Sequence, residues 1–539
     1  MPLIPSTIPR LSSTLFTLVR RSSTMSASEA STSTSAATSG MEPPARAQLL
    51  LTSPPSTLSS SLETASALLH ASLPVAFPTE TVYGLGASAL SSTAVKRIFA
   101  AKGRPSDNPL IVHVSSREML EGLLPTQKEK VEVALPKMYK TLMDAFWPGA
   151  LSLVFPLSHL DPKGKGKASD YDPPRFPVAP EVLAGHASLC IRMPSHPLAL
   201  SLIRESNLPL AAPSANLSSR PSPTTAQHVI HDLGEGRGVG AVLDGGECEV
   251  GVESTVVDWV PPADGVTGEG AVRILRAGGV TAEEIEACLQ KAGFVTASSS
   301  AEGEEEKTMV QVYARDFRNQ DLEDRPTTPG MKYKHYAPGN AKVLLVKPVL
   351  KEDATDDLGP LPSLQDLVQL TALTHAKVGV DEEGRTVEEA FRVGLMLTEE
   401  TLKALEAEVV AVSSVSPSTS SPSADTDSTP STEVYYDIVS LPPPPPSLFS
   451  TLSLGEDSNL PDLSSLTILS YPLGSTSRPI EAAQRLFSGL RLFDGFEGKG
   501  VDLILVEAVK EEGVGLAVME RARKAAGGVE RGGEMEFLL

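Results

Sequence analysis

Cysteine is scarce in this sequence. The three cysteines, Cys190, Cys248 and Cys288, are scattered through a chain of 539 residues and have no metal-ligand spacing. An odd number of scattered cysteines excludes a disulfide framework and is typical of a reducing compartment. The nine histidines form no ligand cluster either, so a structural zinc site is not expected.

Aromatic residues and long apolar runs are scarce as well. Aromatics make up 5% of the chain, but hydrophobic residues reach 41%, which is enough to bury a core. No apolar run approaches the roughly 20 residues that cross a bilayer, so no membrane partner is expected. The length predicts two or three domains, and 45 prolines with long Ser/Thr runs predict non-globular stretches beside them.

The formal charge of −21 is unevenly distributed. Residues 71–280 hold 19 Lys and Arg against 21 Asp and Glu, a net charge of −2, whereas residues 281–539 hold 23 against 43, a net charge of −20. The overall charge argues against nucleic-acid binding by the whole surface, but the near-neutral first part leaves room for a local basic cleft.

Residues 1–56 are predicted to be a disordered leader. The first 24 residues carry three arginines and many Ser and Thr residues, and no acidic residue precedes Glu29. This composition suits a mitochondrial transit peptide, with an unstructured leader as the alternative. Met25 could start a form without the leader, so we expect a cytoplasmic protein that the leader could also direct to mitochondria.

Residues 57–293 show the alternation of an α/β domain. The predicted strands are Leu73–Phe77, Leu110–Val114, Leu151–Phe155, Ala187–Arg192, Pro209–Ala212, Gly240–Leu243, Ser254–Val260 and Val272–Leu275. The predicted helices are Thr93–Ala101, 128–146, Pro197–Glu205, Thr224–Leu233 and Ala282–Ala292, the last opened by a capping box of Thr281 and Glu284. Residues 161–180 are interpreted as a surface insertion.

An acidic linker over 294–339 leads to a second α/β domain over 340–539. The linker contains TPGMKYKHYAP at 328–338, a segment with more glycine, proline, lysine and tyrosine residues than a spacer usually has. Low-complexity insertions interrupt the second domain near 351–367 and 413–446. Its predicted elements are the strands Ala341–Val346, Tyr435–Val439, Leu466–Leu469 and Val501–Glu507 and the helices Val387–Leu405, Ile480–Leu492 and Gly515–Lys524.

Small polar residues and glycines follow the predicted strand Leu73–Phe77. Thr79, Thr81 and Tyr83 precede Gly84 in PTETVYGLGAS. Ligands of open α/β sheets bind at such strand ends, where glycine lets the backbone approach them closely. An ordinary glycine turn is the alternative, because a lone GLG is a weak signal.

Two cations one residue apart end the next predicted helix. Lys102 and Arg104 in KGRPSDNP are followed by a rigid proline and then by Asn108. The point charge of lysine and the planar fork of arginine together suit a polyphosphate clamp. A solvated helix end is the alternative, because the helix dipole favours cations there.

Further polar residues lie at the ends of other predicted strands. Ser214 and Asn216 can bond phosphate or ribose oxygens, or cap a helix. Arg192 and Arg276 each close an apolar strand, where a guanidinium requires an anionic partner, either a ligand or a carboxylate of a neighbouring strand. Signatures of other chemistries, such as GxxxxGK(S/T), HExxH and GxSxG, are missing from the sequence.

This ordered set of motifs resembles the YrdC-like family, and the two-domain layout resembles its longer threonylcarbamoyl-AMP synthase branch. The matching segments are PTETVYGLGA, the Lys-x-Arg pair, DNPLIVH, CIRMPSHP, APSAN, RPSPT, GVEST, RILRAGG, PGMKYKHYAP and GVGLAVMERARKAAG. The resemblance implies an α/β fold in which a YrdC-like twisted mixed sheet with helices forms a concave site. A linker and a smaller C-terminal Rossmann-like α/β domain would follow.

The resemblance also implies which residues act. The catalytic residues would be Lys102 and Arg104. The L-threonine site would contain Thr81, His113, Arg192, Ala212 and Ser254. The ATP site would contain Arg104, Asn108, Ser188, Ser214, Asn216, Ser222, Arg276 and Tyr333. The resemblance assigns no metal ligand.

The implied activity is that of a nucleotidyltransferase, an L-threonylcarbamoyladenylate synthase. L-threonine, bicarbonate or CO2, and ATP would give L-threonylcarbamoyladenylate and diphosphate, with Mg2+ arriving with the ATP. A downstream threonylcarbamoyl transferase complex would then modify the adenosine next to the anticodon in tRNAs that read codons beginning with A. Direct contact with tRNA is left open.

Two other functions fit parts of the sequence. A YrdC-like module could bind RNA without catalysis, although this would not require the threonine-shaped set of Thr81, Arg192 and Ser254. An enzyme that takes another carbamoyl donor would share the Lys-x-Arg and Ser-x-Asn pairs, but its usual acylphosphatase or zinc-finger motifs are missing. The insertion at 161–180 and Glu520, where relatives tend to carry a neutral polar residue, depart from the family pattern.

The linker segment generates a first prediction. Its glycine, prolines, lysines and tyrosines could fold over a bound nucleotide as a lid. We expect Tyr333→Ala to weaken ATP-dependent turnover while the first domain stays folded, as steady-state kinetics and circular dichroism would show. Unchanged kinetics in this variant would contradict a lid role for Tyr333.

Overall fold

The computed structural model describes residues 42–128, 135–157, 171–261, 270–294, 310–328, 335–349, 378–380, 386–388, 392–412, 467–496, 500–528 and 534–538. Several predictions lie outside these residues. They are the leader up to residue 41, the insertion over 161–170, Tyr333, the strand Tyr435–Val439 and the two low-complexity insertions.

The first part of the chain alternates short strands and helices, as predicted. Its strands are β1 (Gln48–Leu51), β2 (Val75–Phe77), β3 (Gly84–Ser88), β4 (Ile111–His113), β5 (Thr126–Gln127), β6 (Leu151–Pro156), β7 (Tyr171–Asp172), β8 (Ser188–Arg192), β9 (Leu210–Ala211), β10 (Ala241–Asp244), β11 (Thr255–Val260), β12 (Ala271–Arg276) and β13 (Val310–Val312). Its helices are α1 (Pro55–His70), α2 (Ser92–Lys102), α3 (Arg117–Gly122), α4 (Lys137–Phe146), α5 (Pro180–Leu183), α6 (Pro197–Ser206), α7 (Ala226–Leu233), α8 (Ala282–Lys291) and α9 (Gln320–Asp324).

Among the described residues, eleven of these strands form one mixed sheet in the order β1-β10-β2-β3-β9-β4-β8-β6-β11-β12-β13. Strands β4 and β8 are parallel to each other, and β3 and β9 run antiparallel to their neighbours. Strand β6 runs antiparallel to β8 but parallel to β11. The central strands are buried on both faces, so their sequences are almost continuously apolar. The mixed α/β sheet predicted from the sequence is thus confirmed.

Local signals explain several helix boundaries. The Ser91 hydroxyl accepts a hydrogen bond from the Ala94 amide and begins α2, and Gly103 ends it in the left-handed conformation with φ of 59°. The predicted capping box of Thr281 and Glu284 is present at the start of α8. Of the helix predicted over 128–146, the part Lys137–Phe146 is α4, which begins directly after Pro136, a residue that cannot donate a backbone hydrogen bond. Residues 129–134 of this prediction lie outside the described residues.

Two segments predicted to lie outside the first domain belong to its sheet. Gln48–Leu51, placed in the disordered leader, is β1 and pairs in parallel with β10. Val310–Val312, placed in the linker, is β13 and pairs with β12, and the helix Gln320–Asp324 follows it. Both strands are short and lie at opposite edges of the sheet. Their pairing comes from distant partners, which local composition does not reveal.

A second sheet of five parallel strands occupies the later part of the chain, in the order β18-β17-β19-β14-β20. Its strands are β14 (Lys342–Val349), β17 (Arg392–Leu397), β18 (Thr467–Pro472), β19 (Leu503–Glu507) and β20 (Met535–Leu538), and β15 (Val378–Val380) pairs separately with β16 (Thr386–Glu388). Its helices are α10 (Glu399–Val412), α11 (Pro479–Phe493) and α12 (Gly515–Ala525). No helix among the described residues is long and apolar enough to cross a membrane.

The helix predicted over Val387–Leu405 is wrong in its first half. Arg392–Leu397 is strand β17, which lies between β18 and β19 and is buried on both faces. A short apolar run of this kind has no periodicity that separates a buried strand from a helix. Thr398 ends the strand, and its hydroxyl accepts a hydrogen bond from the Thr401 amide at 3.4 Å as α10 begins.

The two sheets meet through a close backbone approach at Gly251, between β10 and β11. A Cβ atom there would lie 2.4 Å from the Cα atom of Gln484 and 2.5 Å from the carbonyl oxygen of Ala483, both in α11. Gly251 also has φ of 78°, which favours glycine. A side chain at this position would therefore push α11 away from the first sheet.

We expect Gly251→Ala to destabilise the protein more than Gly246→Ala. Gly246 lies in the same loop with φ of 83° but has open space around it. The control substitution should cost about 1 kcal/mol, the penalty of the left-handed conformation. Gly251→Ala should cost about 1–3 kcal/mol more through its clash with α11. Urea unfolding measures both losses, and equal losses would contradict the close approach.

Candidate active site

The register of the first sheet brings polar side chains to one edge. His113 ends β4 and is paired with Arg192, which ends the parallel strand β8. Ser152 of β6 is opposite Arg192, and its hydroxyl lies 2.8 Å from that of Ser254, just before β11. Residues from four segments far apart in sequence therefore meet at the same strand ends, as expected for ligand sites of α/β sheets.

These strand ends border a cleft. The predicted site residues that line the cleft are Thr81, Arg104, His113, Arg192, Ala212, Ser214, Ser254 and Arg276. Glu253, His335 and Tyr336 also line it, although they were not predicted as site residues. Cationic, hydroxyl and imidazole groups thus share one concave surface.

Arg192 lies at one end of the cleft and contacts three partners there. One terminal nitrogen donates a hydrogen bond to the Thr81 hydroxyl at 2.9 Å, and Nε donates to the Gly149 carbonyl at 3.1 Å. The other terminal nitrogen forms an ion pair with Glu80, whose second oxygen accepts from the Ser195 amide at 3.0 Å. A guanidinium fixed by three partners is a preorganised receptor for a carboxylate.

Burial and charge shift the pKa values of the titratable groups around Arg192. Burial alone would raise the pKa of the Glu80 carboxyl, but the charge of Arg192 and its hydrogen bonds lower that pKa below its usual value. Burial, with a smaller contribution from Arg192, lowers the pKa of His113 to about 3, so its imidazole is neutral at physiological pH. Its buried Nδ1 has no hydrogen-bond partner among the described residues. His113 can therefore accept or donate one hydrogen bond to a ligand.

Lys102 lies behind the cleft. Its Nζ donates to the carbonyl oxygens of Ser214 and Asn216, each at 2.5 Å, and lies 3.4 Å from the Asn216 side-chain oxygen. Burial and the nearby Arg104 charge hold the pKa of Lys102 well below its usual value. The two cations predicted to form one clamp therefore lie in different places. Lys102 binds the Ser214–Asn216 loop, and Arg104 lines the cleft.

Arg104 and Arg276 are the cationic side chains at the other end of the cleft, away from Arg192. One terminal nitrogen of Arg104 donates to the Pro109 carbonyl at 3.2 Å, whereas its Nε and the Asn108 Oδ1 atom are buried without partners among the described residues. Burial lowers the pKa of Arg104 to about 10, so it stays charged at neutral pH. Arg276 donates to the carbonyl oxygen of Ser254 at 2.8 Å and to its hydroxyl at 3.2 Å. This end can bind an extended anion.

Other predicted ATP-site residues do not line the cleft. The Ser222 hydroxyl donates to Glu253 Oε1 at 2.6 Å. The Asn216 amide donates to the Leu217 carbonyl at 2.7 Å and supports the same loop as Lys102. Ser188 begins β8, four residues or about 13 Å from the cleft end of that strand.

The end of the linker segment closes the cleft on one side. Tyr336 is buried, and its ring centroid lies 5.1 Å from that of Phe487 in α11. The His335 ring contacts the Tyr336 ring in a tilted arrangement, with the centroids 4.1 Å apart. The φ of 66° at Tyr336 is strained for a tyrosine, and such strain is often found at functional sites. Tyr333, the residue predicted from this segment, lies outside the described residues.

Two carboxylates near the cleft were missed as site residues. Glu80 could have been found, because the isolated arginine at Arg192 already required an anionic partner. Glu253 could not, because its partner Arg521 lies in α12, 268 residues further along the chain. The cleft therefore offers one carboxylate receptor and one polyanion receptor, an arrangement suited to aligning two substrates.

The chain matches known proteins over most of its length. Residues 67–278 match the Sua5, YciO and YrdC family model described as Telomere recombination, and residues 280–527 match the model described as Threonylcarbamoyl-AMP synthase, C-terminal domain. Threonylcarbamoyl-AMP synthase of Schizosaccharomyces pombe is 37% identical over 89% of this chain and 91% of its own length. The Bacillus subtilis protein of that name is 36% identical over 86% and 92%.

A solved structure extends the similarity to the fold. The structure of P. abyssi Sua5 complexed with L-threonine matches 89% of this chain and 96% of its own chain, with a TM-score of 0.53 and 29% identity. Both domains, the linker between them and the cleft are thus covered by these relatives. The chain belongs to the two-domain threonylcarbamoyl-AMP synthase family.

Proposed function

We propose that this protein is a threonylcarbamoyl-AMP synthase, which converts L-threonine, bicarbonate or CO2, and ATP to L-threonylcarbamoyladenylate and diphosphate. The observation that carries the proposal is the single cleft with a carboxylate receptor at Arg192 and two further guanidinium groups, Arg104 and Arg276, for a polyanion. The names of the full-length relatives and the threonine complex of the P. abyssi protein support it. The reaction class is nucleotidyl transfer.

The Arg192 end would hold the amino acid. Its guanidinium would bind the threonine carboxylate, while the Thr81 hydroxyl and the neutral His113 would orient the amine and hydroxyl of the substrate. Ser254 and Ala212 border the same region of the cleft. Because Arg192 is already fixed by Glu80, little reorganisation would accompany binding.

The Arg104 end would hold the nucleotide. Arg104 and Arg276 would neutralise the phosphates, and Lys102 would act indirectly by holding the Ser214–Asn216 loop. No group of three or more His, Cys, Asp or Glu residues in the described parts of the chain could hold a metal ion. Mg2+ would therefore be bound mainly by the phosphate oxygens of ATP and would add further neutralisation of charge.

The chemistry would proceed by two bond-forming steps. The threonine nitrogen would add to CO2 and lose a proton, which gives a carbamate. A carbamate oxygen would then attack the α-phosphorus of ATP, and the bond from that phosphorus to the bridging oxygen would break to release diphosphate. The contribution of the protein would be positioning and charge stabilisation. The product would serve a downstream transferase complex that modifies tRNA.

A nucleic-acid-binding module without catalysis is the second function considered. Its cations would have to reach a phosphate backbone. Two of the three arginines that line the cleft are instead buried, with exposures of 4% for Arg192 and 5% for Arg276. This burial favours a small enclosed ligand over an RNA strand.

The decisive assay incubates the purified full chain with ATP, bicarbonate and one amino acid at a time and measures diphosphate. We expect diphosphate release that requires both L-threonine and bicarbonate. L-serine, which lacks the methyl group, should be used less efficiently by about 10-fold or more. Release without any amino acid would contradict the proposed reaction, and no release would favour the binding module.

Arg192→Lys tests the carboxylate receptor. Lysine keeps a positive charge near Glu80 but loses the planar fork. We expect the KM for L-threonine to rise by about 10-fold to 100-fold, with a much smaller change in the KM for ATP. Arg97→Lys is the control, because Arg97 donates to the Ala71 and Ser72 carbonyls at the far end of the first sheet. A larger effect on ATP than on threonine would refute this assignment.

A further inference from the structure

A buried arginine of the second domain reaches into the wall of the cleft. Arg521 lies in α12 and is 1% exposed. Its Nε donates to Glu253 Oε2 at 3.0 Å, and one terminal nitrogen donates to the Ala277 carbonyl at 2.5 Å. Glu253 lines the cleft, so the second domain contacts a cleft residue directly.

Both carboxylate oxygens of Glu253 accept hydrogen bonds. Its Oε1 atom accepts from the Ser222 hydroxyl at 2.6 Å, and Oε2 is bound by Arg521. Burial alone would raise the pKa of Glu253, but Arg521 first and Arg276 next lower it to about 2. The carboxylate is therefore charged and fixed in one orientation at neutral pH.

Arg521 also connects two other parts of the cleft. Its guanidinium carbon lies 5.9 Å from the centroid of the Tyr336 ring, within the range of a cation–π contact. Ala277, which it also binds, directly follows Arg276. One side chain of α12 therefore contacts the GVEST loop, the end of β12 and the closing segment of the linker.

We propose that Arg521 is a positioning residue of the active site, through which the second domain orients Glu253 and neutralises its charge beside the nucleotide end of the cleft. The proposal rests on the proposed function, because it concerns the binding of ATP. It assigns the second domain a part in forming the site. Arg521 need not touch a substrate, because it acts through Glu253.

Loss of Arg521 would place an uncompensated negative charge near the phosphates. The charged and titratable groups around the Glu253–Arg521 pair are Arg276, Lys102, His335, Tyr336 and Glu520. Glu520 also pairs with Lys524, so it keeps a cationic partner when Arg521 is replaced. Without Arg521, the Glu253 carboxylate would repel ATP and compete with it for Arg276. A buried carboxylate without its partner also has a raised pKa. Protonation at lower pH would therefore relieve the repulsion, and the defect should grow as pH rises.

Arg523 provides a matched control on the same helix. Its side chain is 11% exposed, and its terminal nitrogen pairs with Glu511 and with Glu534, at 2.9 Å for Glu534. Both partners belong to the second domain. Arg523→Met thus removes a buried ion pair of similar kind without touching the cleft.

The test compares KM for ATP and for L-threonine in the full-length wild type, Arg521→Met and Arg523→Met from pH 6 to pH 9. We expect Arg521→Met to raise the KM for ATP by about 10-fold at neutral pH, with a variant-to-wild-type ratio that increases with pH. The KM for L-threonine should change by less than about threefold. Arg523→Met should leave both constants near the wild-type values.

The double variant E253Q/R521M separates charge from packing. Glutamine keeps an acceptor for the Ser222 hydroxyl but carries no charge, so we expect the KM for ATP to return toward the wild-type value and to lose its pH dependence. A KM that stays raised in the double variant would show that Arg521 only supports the fold, and would overturn the proposal. A wild-type KM in Arg521→Met would overturn it too.

A replacement variant and the wild-type activity distinguish failure of the Arg521 role from failure of the protein to fold or to react. If Arg521→Met does not fold, Arg521→Lys replaces it. The shorter lysine side chain would neutralise Glu253 less completely and should give the same pH trend at smaller amplitude, and a ratio independent of pH would overturn the proposal. Wild-type diphosphate release is measured in the same assay. A wild type without threonine-dependent release would defeat the proposed function itself, whereas an active wild type with unaffected Arg521 variants would defeat only the role of Arg521.

Discussion

The guanidinium of Arg192 is withdrawn from water and compensated by Glu80, by the Thr81 hydroxyl and by the Gly149 carbonyl. A buried cation is tolerated only where partners replace its hydration. These three partners come from two loops that are distant from β8 in sequence. The requirement to satisfy one charge therefore sets how these loops lie against the sheet, and the shape of the cleft follows from it.

The same constraint recurs at the other end of the cleft. Lys102 is satisfied by carbonyl oxygens of Ser214 and Asn216, so that α2 holds the loop after β9. Arg521 pairs with Glu253 and donates to the Ala277 carbonyl, so that α12 holds the loop before β11. Each buried cation links segments that no local interaction would join. Side chains held by such contacts before a ligand arrives favour electrostatic preorganisation.

The interface between the two sheets lies beside the cleft and includes residues that contact the cleft lining. Helices α11 and α12 pack on the first sheet through Gly251, through Phe487 against Tyr336, and through Arg521. Arg491 of α11 adds a buried ion pair with Asp232 at 2.8 Å. Removing one partner of such a pair would leave the other charge buried without compensation, so the pair restricts how α11 can lie against the first sheet. The second domain can thus set the position of cleft residues without contributing a reacting group.

Much of the first sheet was predictable because its strands carry strong local signals. Apolar runs that end in small or charged residues, such as the strands before Thr79 and at Arg192, identified both the strands and the residues at their ends. The prediction over Val387–Leu405 failed where a strand buried on both faces lost its period of two. The edge strands β1 and β13 were missed because their stability comes from partners remote in sequence.

The sequence by itself determined the alternation of strands and helices, the polar residues at the strand ends and the family resemblance that joins them. These depend on local composition, motif spacing and the order of segments. Only the tertiary structure decided that Lys102 lies behind the cleft while Arg104 lines it, that Glu80 and Glu253 belong to the site, and that Arg521 reaches it from the second domain. The physical reason is that a buried charge selects its partner by proximity in space. An isolated arginine such as Arg192 shows that a partner is required, but separations of 112 or 268 residues do not identify which residue it is.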